Sequence, residues 1–300
     1  MGRSWHSIFA GVPIMTFAFR QIDLEFTTPN TKPLKLTNLR CSAIITNPGG
    51  YSAYGQLQLE VFGMTLEQMN EYSSSGSKMV AAQNQSITVF AGDQGGSMNQ
   101  VFSGTLISSF INLASQPDVS FVCAAVAGYY AKAAPVAPNT YKGSQKAEDI
   151  IASLVSQLGD PWAFANPTNA TAIVQNQYVS GSVIDQICTV ARNAGLPIKI
   201  ENNTVTIWSN DGVVDDVIVE IGPTTGMVGY PSYWESGFVV RSEFKPTVTN
   251  GRMVNLTSGI PKANGKFPII YSTHEISTLV PDGPWFTTSK LAPGPYVPKN

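Results

Sequence analysis

The sequence predicts a mainly β protein with a small α/β module: two β-barrel domains flanking a compact helix–hairpin domain. Three observations predict it. Apolar and polar residues alternate in short runs between Phe17 and residue 126, and again from Val217 onward; that is the period of a half-buried strand. Between these stretches the apolar period lengthens to that of a helix at two places, residues 144–158 and from Ser182. Gly and Asn punctuate the alternating runs where hairpins need turns.

Taken in order, Phe17 and Phe19 alternate with polar or small residues, and Ile22, Leu24 and Phe26 resume the alternation one residue out of phase. The slip at Arg20-Gln21 predicts a β-bulge, a feature found where sheets curl into barrels. Leu39, Cys41, Ala43 and Ile45 form a second period-two run, and Leu57, Leu59 and Val61 a third that ends at Gly63. Thr65 caps a short helix through Glu71, followed by the polar loop Ser73-Ser74-Ser75-Gly76-Ser77. Strands are expected at 86–91, 100–112 and 119–126. Pro135-Val136-Ala137-Pro138 reads as a linker.

Ser144 is expected to cap a helix whose stripe is Ala147, Ile150, Ile151, Leu154, Val155 and Leu158, stopped by Gly159 and Pro161. A second helix starts at Ser182 with Asp185 as a variant capping box and stops near Gly195. Ile198 and Ile200, the turn Asn202-Asn203, then Val205 and Ile207 predict a hairpin. Beyond Asp215 strands recur at Val217–Ile221, Phe238–Phe244, Met253–Leu256 and 267–276, the last behind a hairpin signal at Asn264-Gly265. The resulting domains are 1–134, 135–212 and 213–290, with 291–300 as an extended tail holding Pro293, Pro295 and Pro298.

Composition narrows the function. At 300 residues and 43% hydrophobic, the chain can bury real cores, while its 13% of charged residues is about half the globular norm. Such a chain hides its surface in an assembly or relies on neutral hydrogen bonds. Both fit extracellular β-proteins and virion parts. A formal charge of −2 without a basic cluster argues against a dedicated nucleic-acid binder, which neutralises phosphates with grouped Lys and Arg. The same absence suits a conduit that DNA passes without sticking. Cys41, Cys123 and Cys188 are odd in number and widely spaced, so buried thiols in a reducing compartment are expected rather than disulfides or a zinc site. The N-terminus does not read as a signal peptide, and no run reaches the roughly 18 apolar residues of a membrane span.

Signatures of catalysis fail. With His6 and His274 as its two histidines, the chain is poorly supplied for histidine chemistry. His274, in an expected strand, is read as a structural residue. Ser75-Gly76-Ser77-Lys78 matches S-x-x-K but lies in a loop without the partner motifs. Gly92-Asp93-Gln94-Gly95-Gly96 precedes a strand rather than a helix, so a hairpin loop is expected instead of a phosphate cradle. Asp211, Asp215 and Asp216 have the composition of a calcium site, and equally of a solvated loop. Trp162, Trp234 and Trp285 suit sugar platforms, or packing and interface anchors. No cofactor is implied.

One ordered set of segments points further. Leu59-Glu60-Val61-Phe62-Gly63-Met64, Ile87-Thr88-Val89-Phe90-Ala91-Gly92, Val101-Phe102-Ser103-Gly104-Thr105-Leu106 and Gln116-Pro117-Asp118 follow one another in the first β-rich stretch. Gly143-Ser144 opens the middle, and Gly226-Met227-Val228-Gly229-Tyr230-Pro231, Phe244-Lys245-Pro246 and Tyr271-Ser272-Thr273-His274-Glu275-Ile276 mark the last stretch. This succession, over most of residues 55–290, resembles the baseplate central hub (tail hub) proteins of contractile-tailed bacteriophages, Mu-like and related.

The resemblance implies a non-enzymatic structural protein with tube-type barrels. It implies a homotrimer whose six barrels form a pseudo-six-fold ring between the six-fold tail tube protein and the three-fold central spike protein. Baseplate wedge proteins lie outside it, and DNA passes through its lumen without specific binding. No membrane insertion is expected, and the location is the virion, after assembly in the host bacterial cytoplasm. Residues 224–231 and 271–276 are the expected ring-forming surface, with Gly226, Met227, Gly229, Tyr230, Pro231, His274 and Trp285 as its interface residues. Two alternatives stand beside this reading: a secreted β-rich carbohydrate-active hydrolase or sugar-binding module, and the hub of a tailocin or contractile injection system.

Overall fold

The computed structural model describes residues 19–293 except 30, 50–53, 75–84, 115, 134–135, 211 and 236. Its first stretch contains β1 (Arg20–Thr27), β2 (Leu34–Leu36), β3 (Cys41–Asn47), β4 (Gln56–Phe62), α1 (Leu66–Tyr72), β5 (Ser86–Asp93), β6 (Asn99–Asn112) and β7 (Ser120–Val126). The alternation works as expected: Ile22, Leu24 and Phe26 of β1, Cys41, Ala43 and Ile45 of β3, and Leu57, Leu59 and Val61 of β4 all turn into one core. The bulge at Arg20-Gln21 is not there. β1 pairs with β5 residue for residue from Arg20↔Asp93 to Thr27↔Ser86. The phase change instead marks where the strand begins, with Phe19 left exposed. Phe17, His6 and the Ser75-Gly76-Ser77-Lys78 segment lie outside the described residues.

α1 carries the full capping box. The Gln68 N–H donates to Thr65 Oγ1 at 3.2 Å, and Gln68 Oε1 accepts the Thr65 N–H at 2.9 Å, satisfying two groups that a helix start leaves open. The Gly92–Gly96 segment closes β5 at Gly92 and Asp93 and enters the turn of the β5–β6 hairpin, where the Gly96 N–H donates to the Asp93 carbonyl at 2.9 Å.

The middle holds α2 (Tyr129–Ala133), β8 (Asn139–Lys146), α3 (Ala147–Ser156), β9 (Ala163–Ala165), β10 (Ile173–Val179), α4 (Val183–Ala194), β11 (Ile198–Glu201) and β12 (Thr204–Ile207). Ser144 is not a cap. It lies in β8 opposite Gln175, because β10 keeps the chain extended as far as Lys146. α3 then starts without a side-chain cap, and the Ala147 N–H is taken by the Ala172 carbonyl at 2.8 Å. Its stripe of Ile150, Ile151, Leu154 and Val155 packs with Ile184, Ile187, Val190 and Ala191 of α4 in a second core. The β11–β12 hairpin turns at Asn202 and Asn203, both at positive φ, a conformation Asn tolerates better than most residues.

The last stretch holds β13 (Ile218–Ile221), β14 (Ser232–Trp234), β15 (Gly237–Glu243), β16 (Met253–Leu256), β17 (Gly265–Thr278) and β18 (Trp285–Leu291) around a third core. Asn264-Gly265 is not a two-residue turn. Leu256 pairs with Gly265, and the connection between them folds over Asn264, whose Oδ1 accepts the Ser258 N–H at 2.6 Å and whose Nδ2 donates to the Ser258 and Ile260 carbonyls at 3.1 Å.

Both β-rich stretches belong to one sheet, in the order β14-β15-β18-β17-β3-β4-β7-β6-β5-β1-β2, with β16 attached to β17 and β13 to β16. The two closed barrels expected from the sequence do not appear. Among the described residues no pairing joins β14 to β2. The 14-residue β17 explains why. Its first residues, Gly265–Pro268, pair with β16, and its last seven, Ser272–Thr278, pair with β3. The far half of the strand is spent on the joint between the stretches. Ile276 and Trp285 accordingly sit in the first core rather than the third.

Candidate assembly surface

The segment before β14 is a compact turn on the edge of the sheet. The N–H groups of Thr225 and Met227 both donate to the Gly222 carbonyl, at 3.0 and 2.9 Å. Met227 then bridges to Ser242 of β15, through a 2.8 Å bond from Val228 N–H to the Arg241 carbonyl and a 2.7 Å bond from Glu243 N–H to the Gly226 carbonyl. Gly226 has φ 87°, and a Cβ there would meet Glu243 Oε2 at 3.2 Å; only glycine allows this approach without strain. The turn leaves Gly229 and Tyr230 on the outside, with Tyr230 77% exposed, and tucks Pro231 in. Tyr233 of β14, which the sequence reading did not single out, is 62% exposed and leans on Phe238 with ring centroids 5.1 Å apart.

His274 and Trp285 are elsewhere. His274, 1% exposed, faces Ile45 of β3 across the joint, and its Nδ1 lies 2.9 Å from Thr287 Oγ1. Burial lowers its pKa to about 4, since a charged ring would lose its hydration with no acid to repay it. Trp285 is buried beside it, with Phe244 edge-on to both rings. The Arg20 guanidinium sits 5.6 Å above Trp285 and donates to the Gly283 carbonyl at 3.1 Å. Both residues are buried at the joint between the two stretches of this chain. Of the seven expected interface residues, Gly229 and Tyr230 are exposed, Gly226 and Met227 half-buried, and Pro231, His274 and Trp285 buried.

Several of the remaining chemistry-bearing residues have structural partners. Asp215 receives the Arg252 side chain at 2.8 and 3.0 Å from Nε and at 2.7 Å from Nη2. Asp211 lies outside the described residues. Among the described residues no three His, Cys, Asp or Glu gather as metal ligands. Trp162 packs on the second core, and Trp234 donates its Nε1–H to the Leu291 carbonyl at 3.3 Å. The three cysteines are buried thiols, with burial pushing Cys123 up to about 12; a thiol that resists ionisation is a poor nucleophile. No helix among the described residues is long and apolar enough to cross a membrane.

Comparison with known proteins agrees with this picture. The family described as "Baseplate hub gp41" matches residues 55–288. No curated protein matches the sequence. Among solved structures, the chain is similar to a tail protein from Neisseria meningitidis MC58 (8% identity, TM-score 0.61, covering 91% of this chain and 96% of that one). It is similar to the E. coli c3393 protein, a component of the type VI secretion system (10% identity, TM-score 0.63, covering 91% and 79%). It is also similar to the 43 kDa tail protein of prophage MuSo2 from Shewanella oneidensis (10% identity, TM-score 0.58, covering 90% and 97%). At such identities the likeness speaks to fold.

Proposed function

The chain belongs to the baseplate hub gp41 family, a structural component of a phage tail, and from that premise we propose that it is the ring-forming hub of the baseplate. Three copies surround a central channel. Each contributes a β-rich unit from residues 1–134 and another from 213–290, separated by the α/β unit 135–212 and followed by the tail 291–300. Two β-units in each of three chains make six, so a ring that is three-fold by chain is nearly six-fold by unit. One face meets the six-fold tail tube protein and the other the three-fold spike protein. Wedge proteins bind the periphery, and DNA leaves through the channel without specific contacts.

The observation that carries this reading is the joint between β3 and β17. It places the two β-units of one chain side by side in a single sheet, as neighbours around a ring would be. Low charge supports it too, because the cores of large interfaces are depleted in charged residues.

The test is the solution mass of the chain, alone and co-expressed with the spike protein, followed by image averages. A species near 96 kDa, three chains of 32.1 kDa, that averages to a ring with a central hole is expected. A monomer in both preparations overturns the proposal. Likeness to a type VI secretion component supports one second reading, the hub of an injection system, and the genes flanking this one separate the two.

A further inference from the structure

The sheet contains a repeat. β3-β4-β7-β6-β5 and β14-β15-β18-β17-β16 are hydrogen-bonded in the same order, with the strands in the same sequence along the chain. The match extends to single residues. β6 and β17 are both 14 residues long. The ladder of β6 with β7 slips between Leu106 and Ser108, and that of β17 with β18 slips between Ile269 and Tyr271. Aligning the slips makes Ser109 the counterpart of Ser272, and Ile111 that of His274. On the other strands, Leu57 pairs with Ala125 and Phe238 with Leu291 at corresponding places. Tyr233, opposite Phe238, is then the counterpart of Ile45, opposite Leu57.

One difference breaks the repeat. The outer edge of β17 is covered by β3, with His274 opposite Ile45. On the counterpart edge of β6, Phe110, Ile111 and Asn112 have no strand beside them among the described residues. The same holds for the outer edge of β14. These edges carry the apolar exposure a missing neighbour would explain. Ile45 is fully buried, whereas its counterpart Tyr233 is 62% exposed, and Phe110 and Leu113 are each more than half exposed. Ser74 occupies Ser109, donating N–H and Oγ–H to its carbonyl at 2.9 and 2.6 Å. Ser109 is the counterpart of Ser272, whose partner Asn47 ends the β3–β17 ladder. Ser74 therefore marks the end of the open edge without covering it.

We propose that the β3–β17 joint is repeated between copies of this chain: β14 of one copy pairs antiparallel with the end of β6 in the next. Transferring the register puts Tyr233 opposite Ile111, Ser232 opposite Asn112 and Trp234 opposite Phe110. The contact uses two different edges, so it is head-to-tail and closes into a ring or runs on as a filament. It turns two open edges, a liability in a monomer, into the seam of the assembly. The inference rests on the ring proposed above, and it names the strands and register of that ring's seam.

The test is a doubly substituted full-length chain, Asn112→Cys with Ser232→Cys, oxidised with diamide and run on a denaturing gel without reductant. Directly opposed positions of an antiparallel pair have Cα atoms about 4.5–5.5 Å apart, a separation that a disulfide spans. Covalent dimers and trimers at least tenfold above either single variant are expected, and weaker linking when Ser232→Cys is exchanged for Trp234→Cys. The mass of the reduced variant is measured alongside, to confirm that it assembles as the unsubstituted chain does. A trimer of the right mass that does not link overturns the seam and leaves the ring. A monomer at every concentration, both alone and co-expressed with the spike protein, overturns both.

Discussion

His274 is a residue at which pH acts on this fold. Its Nδ1 shares a 2.9 Å hydrogen bond with the Thr287 hydroxyl, whose oxygen also takes the Lys245 N–H at 3.1 Å. Burial lowers the folded pKa from 6.5 to about 4. The unfolded chain therefore binds a proton between those values that the folded chain refuses, and stability falls as pH drops from 6.5 toward 4. From pH 7 to pH 5 the loss from this one group is about 2 kcal/mol at 1.36 kcal/mol per pKa unit. Urea unfolding at the two pH values checks it: His274→Gln is expected to remove most of that difference, and an unchanged difference would assign it to other groups. His274 was legible as a structural histidine in a strand, and its place two residues before Ile276 gave its face. That it serves a joint within the chain was not legible, because nothing local in the sequence says which strand will lie beside β17. Tyr230 entered through the family resemblance rather than through local pattern, and it stands exposed in its turn. Tyr233 was missed: two residues past Pro231, in a three-residue strand, it shows no period.

At the scale of elements, the helix ends are the most local features and the easiest to test. Ser182 Oγ accepts the Asp185 N–H at 3.2 Å and donates to Asp185 Oδ2 at 2.7 Å, at the head of the 12-residue α4. Ser182→Ala is expected to destabilise the protein by about 1 kcal/mol, read as a lower urea midpoint at constant slope. Elements of this kind were legible: α1 and α4 from their caps, the apolar stripe of α3, and most strands whose alternation faces a core, although not β2 or β18. β8 and β10 were not. β8 reads NTYKGSQK, and its side chains are half-buried or exposed, so no apolar period marks it, and a Ser in it looked like a cap. Its existence depends on β10, 34 residues further along at its start, a pairing that local pattern cannot announce. The bulge was misplaced for a related reason: a phase change in apolar residues looks the same whether a strand bulges or simply begins.

For the whole molecule, the issue is whether the two β-rich stretches are separate bodies or one. Chain order suggests two, since the α/β unit lies between them. The sheet says otherwise, because β17 pairs with β3 over seven residues and the first core contains Ile276 and Trp285. Ile45 sits at that joint, fully buried, with His274 opposite it on one side and Leu57 on the other. Truncating a buried Ile to Ala removes both its transfer energy and its packing, typically 2–5 kcal/mol. If the stretches unfold independently, Ile45→Ala weakens amide protection in β3–β7 alone. If they unfold together, it lowers protection of β15 and β18 by the same free energy, although neither strand touches β3 in the sheet order. Hydrogen exchange read by mass spectrometry on peptides from both stretches decides between these, and equal losses are expected. That outcome has a mechanical meaning for the ring proposed above: with the joint inside each chain as firm as a core, the weaker contacts, and so the sites of opening, would fall at the proposed seams between chains.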